Sequence, residues 1–78
     1  MLNYEACKNI AENKAKDIGL KLDKAYSIKN DYVFESSTED CVGYFPLVVS
    51  AKTGTCFGLW NYLNKENLSM DAMVEVAF

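Results

Sequence analysis

The sequence predicts a single α+β domain over residues 1–78. An N-terminal helix packs on one face of a four-stranded antiparallel meander, and a short helix follows at the C-terminus. Three observations predict it. Apolar residues before Gly19 recur at three- and four-residue steps, the period changes to two after Gly19, and residues 43–60 read as one β-hairpin closed at Lys52-Thr53-Gly54.

Asn3 is placed to cap a helix from about Tyr4 to Ile18, with Glu5 in the first turn where the helix dipole favours an anion. Cys7, Ile10, Ala11, Ala15 and Ile18 form one apolar stripe, and lysines and acids occupy the other sides. Gly19 then fits the left-handed C-terminal cap, and Lys14 and Lys16 carry the correct sign for the helix end.

Leu20, Leu22, Tyr26 and Ile28 fall on even positions, the pattern of a strand with one wet face. Lys29-Asn30-Asp31 is a turn, and Tyr32 to Glu35 is a short second strand rich in aromatic and branched residues. Residues 36–40 are a polar loop.

The hairpin supplies strands three and four. A three-residue loop with glycine at the positive-φ place puts Ala51 opposite Thr55, Val49 opposite Phe57 and Leu47 opposite Leu59. Leu47, Val49, Phe57 and Leu59 then face the N-terminal helix. Pro46, Val48, Cys56, Gly58 and Trp60 face the other way, joined by Tyr44 and Tyr62 if the strands run that far. Pro46 lacks a ladder donor, so the third strand lies at an edge or begins there. Asn61 to Leu68 reads as a polar connection. Ser69 caps the short final helix, although Val74 to Phe78 also fits a strand.

Composition narrows the chemistry. Histidine is absent and all eight basic residues are lysines. Without histidine there is no Cys-His or Ser-His pair, and a four-ligand zinc site is not expected from three widely spaced cysteines, Cys7, Cys41 and Cys56. The thiols read as reduced and partly buried. No glycine-rich phosphate loop surrounds Gly54, and no cofactor is implied. The net charge is −3, with +1 over residues 1–31 and −4 over residues 32–78. Acidity and the lack of arginine disfavour nucleic acid. No apolar run is long enough to span a membrane. Residues 1–5 lack the basic and apolar regions of a secretory signal, so with Met1 as native start a cytoplasmic protein is expected, and a mature fragment of a secreted precursor would read the same.

The candidate contact residues are therefore a protein-binding set. Glu35, Glu39 and Asp40 are the one close acidic group, suited to a basic partner. Trp60, with Tyr44, Pro46 and Tyr62, makes an aromatic patch of hot-spot composition. The opposing possibility is that the C-terminal helix covers this face, with Met70 and Met73 as its plug.

The helix Glu5-Ala6-Cys7-Lys8-Asn9-Ile10-Ala11-Glu12, the strand Tyr32-Val33-Phe34, and Gly43-Tyr44-Phe45-Pro46-Leu47-Val48-Val49 before Lys52-Thr53-Gly54 together resemble a family of small α+β immunity proteins from bacterial polymorphic-toxin systems. The resemblance spans roughly residues 4–60. Ser50-Ala51 stand where that family usually has an acid and a lysine. The resemblance implies a non-enzymatic protein that binds and silences a cognate toxin. Secreted inhibitory domains of the PepSY kind carry the same turn before a final strand, which leaves a self-associating or regulatory domain, possible as a homodimer, as the alternative.

Overall fold

The computed structural model describes residues 1–36 and 45–78. It is an α+β fold: helix α1 (Tyr4–Asp17), strands β1 (Lys24–Ile28), β2 (Asp31–Glu35), β3 (Leu47–Val49) and β4 (Cys56–Gly58), helix α2 (Leu59–Glu66), a 3-10 turn over Met70–Ala72, and strand β5 (Val74–Val76). Among the described residues the sheet has five strands in the order β4-β3-β2-β1-β5, and every neighbouring pair is antiparallel. The expected meander supplies four of these strands, and the tail supplies the fifth.

Helix α1 forms for local reasons. Asn3 Oδ1 accepts from the Ala6 N–H at 2.8 Å, and Cys7, Ala11 and Ala15 are buried along one stripe. Gly19 has φ +70°. Its N–H donates to Lys16 O at 3.1 Å and that of Leu20 donates to Ala15 O at 2.8 Å, closing the helix as a Schellman motif.

The sheet is buried on both faces. On one side Phe34, Leu47, Val49, Ala25 and Ala51 pack with α1. On the other, Ile28, Val33 and Val48 pack with Leu59, Tyr62 and Leu63 of α2. The even positions expected to line one face of a first strand divide between these cores. Leu20 and Leu22, ahead of β1, join the α1 side, and Tyr26 and Ile28 join the α2 side.

The second hairpin differs from expectation by one residue of register. Val49 pairs with Cys56, Val48 with Phe57 and Leu47 with Gly58. The reason lies at Ala51. Its N–H donates to Asp31 Oδ1 at 3.0 Å and its carbonyl accepts from Leu2 N–H at 2.6 Å. Both groups are taken by other elements, so Ser50 rather than Ala51 pairs with Thr55, its N–H donating to Thr55 O at 2.8 Å. The loop becomes four residues, and Gly54, at φ +77°, sends its N–H to Ser50 O at 2.7 Å. A one-residue slip exchanges the faces of a strand. Phe57 consequently joins the α2 core and Cys56 packs on the α1 side.

Residues 59–66 are helix, correcting the expectation of a strand end and polar connection. Leu59, Tyr62, Leu63 and Glu66 stand at i, i+3, i+4 and i+7, an amphipathic stripe in eight residues. The Leu59 N–H donates to Pro46 O at 3.0 Å, and Asn67 ends the helix at φ 55° with Leu68 N–H on Leu63 O at 2.9 Å. The expected final helix is a single 3-10 turn, and the Val74–Val76 run is strand. It pairs with the outer edge of β1, which the sequence pattern alone does not reveal. Pro46 lies just before β3 and follows a cis peptide bond.

Candidate protein-binding face

Helix α2 divides its side chains by direction. At 100° per residue, Leu59, Tyr62, Leu63 and Glu66 occupy one sector, and Trp60, Asn61, Asn64 and Lys65 the other. Burial follows this division: Leu59, Tyr62 and Leu63 are buried, whereas Trp60, Asn61, Asn64 and Lys65 are exposed. Trp60 is 53% exposed. The outer face of α2 is therefore one indole beside two neutral amides, with a lysine at the far flank.

Trp60 and Tyr62 do not share a face. Two residues apart on a strand they would point together; on a helix they diverge by about 200°. The Tyr62 ring lies under α2, and its hydroxyl donates to Asp31 Oδ2 at 2.5 Å. Asp31 Oδ1 takes the Ala51 N–H at 3.0 Å, so one carboxylate ties β2 to the β3–β4 turn and to α2. Lys29 and Glu66 add a half-exposed ion pair at 2.9 Å between the β1–β2 turn and α2. The sequence marks Asp31 only as a turn residue, so its clasping role goes unseen there.

The remaining candidates separate. Glu35 ends β2 and accepts from the Tyr26 hydroxyl at 2.9 Å. Pro46 is half-buried at the foot of β3. Glu39, Asp40 and Tyr44, and Cys41 with them, lie outside the described residues. Met70 and Met73 do not plug the Trp60 face. Met73 packs on the α2 core and Met70 is half exposed.

The resolved titration shifts all favour neutral forms. Burial, the hydrogen bond to Asp31 and the charges of Asp31 and Glu66 push Tyr62 far above its ordinary value. The bond to Glu35, with burial, raises Tyr26. Burial raises the free thiols Cys7 and Cys56, with Asp31 adding at Cys7 and Lys14 opposing at Cys56. A nucleophilic thiol needs the opposite shift. Among the described residues, no three His, Cys, Asp or Glu side chains gather to hold a metal ion, and no helix is long and apolar enough to cross a membrane.

Comparison with family models, curated proteins and solved structures finds no match in any of the three.

Proposed function

We propose that this chain is a non-catalytic protein-binding module of the immunity type, which binds and neutralises a toxin domain in the cytoplasm of the cell that makes it. The observation that carries this reading is the half-exposed indole of Trp60 beside Asn61 and Asn64 on the outer face of α2, with Lys65 at the flank of that face. Tryptophan is rich in binding energy at interfaces, and charge is depleted at their centres. Asparagine supplies adaptable hydrogen bonds beside such an anchor. The net charge of −3 suits a basic partner, whose approach it would speed. Glu35, Glu39 and Asp40 are the steering residues of this proposal.

Capture from the native cell tests it, with wild-type and Trp60→Ala proteins run in parallel. The reading requires a protein with a basic toxin domain that the wild type retains and silences and the variant releases. Identical capture by both proteins rejects the Trp60 face, and a partner without toxic activity rejects the immunity role.

A second reading, self-association, draws on β5. It is an edge strand, and Val74 is 61% exposed. Glu75 at its centre opposes edge pairing, as charges on edge strands do. Light scattering separates the two: a monomer at high concentration removes self-association.

A further inference from the structure

We propose that the cleft between the two hairpin turns and α2 binds a carboxylate carried by an acidic polypeptide segment. The cleft has a volume of about 520 Å³ and draws its walls from the β1–β2 turn, the β3–β4 turn, β4 and α2. Lys29, Lys52 and Lys65 reach it from three different elements. Against them, among the described residues, stand two acids, Asp31 and Glu66, so the described lining sums to +1 in a chain whose net charge is −3.

Both acids are already engaged. Asp31 accepts from Ala51 N–H and from the Tyr62 hydroxyl, and Glu66 pairs with Lys29. The cationic charge left over belongs to Lys52 and Lys65. Lys52 has no ion pair or hydrogen bond to any described residue. Lys65 Nζ stands 5.0 Å from the centroid of the Phe57 ring, on the wall of the same cleft. Two cations beside an aromatic wall match a carboxylate on a short methylene stem: the charge meets the ammonium groups and the stem meets the ring.

A phosphate fits less well. It is favoured by arginine forks, glycine-rich nests and helix N-termini. The chain has no arginine, and among the described residues the lining includes no glycine and, from α2, Tyr62, Lys65 and Glu66 but not residues 59–61. Around the cleft, Asn30 and Ser50 offer polar side chains to the backbone of a bound segment.

This site is separate from the Trp60 face, because Lys65 and Trp60 lie about 140° apart around α2. The test is an amide NMR titration at constant ionic strength with three probes: capped tetraglutamate, capped tetraglutamine and inorganic phosphate. The proposal requires saturable shifts at Lys52, Thr53 and Lys65 with tetraglutamate and none with tetraglutamine. The double variant Lys52→Ala/Lys65→Ala, altered only at exposed side chains, should keep the native spectrum and bind tetraglutamate at least about tenfold more weakly. Trp60→Ala should bind it as the wild type does, so this site and the Trp60 face fail independently. Shifts that never saturate, unchanged affinity in the double variant, or tighter binding of phosphate than of tetraglutamate would overturn the proposal.

Discussion

The Tyr62 hydroxyl donates to Asp31 Oδ2 at 2.5 Å, and this bond fastens α2 to the first hairpin. Because Asp31 also holds the Ala51 N–H, the same carboxylate fixes the turn that sets the register of the second hairpin. Tyr62→Phe keeps the ring and leaves one carboxylate oxygen unpaired, a loss of about 1.5–3 kcal/mol. Asp31→Ala strands both the hydroxyl and the backbone N–H and should cost about 2–4 kcal/mol. Urea unfolding of both single variants and the double variant measures the coupling. Losses that simply add would show that the bond carries nothing.

Stability should decline at alkaline pH. Tyr62 is raised above its ordinary value of 10.0, so the folded chain holds that proton more tightly than the unfolded chain does. Its contribution is full below the unfolded pKa and falls as pH climbs past it. Cys7 and Cys56, raised from 9.0, begin the decline earlier. Tyr62→Phe should therefore lessen the fall above about pH 10, to which the raised Tyr4 and Tyr26 also contribute, while leaving the part that begins near pH 9. Denaturation midpoints across pH 7–12 give the comparison, and equal slopes in the two proteins would contradict it.

The two positive-φ glycines should respond unequally to alanine. At Gly19, φ +70°, a Cβ meets nothing within 4 Å, leaving only the backbone cost of about 1–2 kcal/mol. At Gly54, φ +77°, the same atom would sit 3.2 Å from Leu2 Cδ1 and 3.4 Å from Ile10 Cδ1. Gly54→Ala should be the more destabilising of the two by thermal unfolding. The reverse order would refute the close approach of α1 to this turn.

Register has a direct spectroscopic signature. The Phe57 ring lies 6.2 Å from the Tyr62 ring, centroid to centroid. Nuclear Overhauser contacts from Phe57 should therefore reach Tyr62 and Val48. Contacts instead to Cys7 and Ala11 would restore the three-residue loop.

What the sequence makes legible is what local interactions decide. The Asn3 cap, the Cys7-Ala11-Ala15 stripe and Gly19 specify α1 within one segment, and the β1–β2 hairpin follows from two short runs about a polar turn. The misjudged parts are settled elsewhere in the chain. Ala51 is withdrawn from the ladder by Asp31 and Leu2, 20 residues away and at the N-terminus respectively. Val74–Val76 is strand because β1 has an edge to fill. Helix α2 carries the correct spacing at Leu59, Tyr62 and Leu63, but its asparagines are weak helix formers and the preceding strand invites continuation. Trp60 was identifiable by residue type. Its exposure comes from the outer face of a helix and not from strand parity.

The affinity of the captured partner for wild-type and Trp60→Ala proteins tests the central claim most directly. Trp60 is exposed, so its removal should leave stability within about 0.5 kcal/mol of the wild type. A loss of at least about 2 kcal/mol in binding, roughly 30-fold in Kd, is the predicted result. Equal affinity in two equally stable proteins would contradict it.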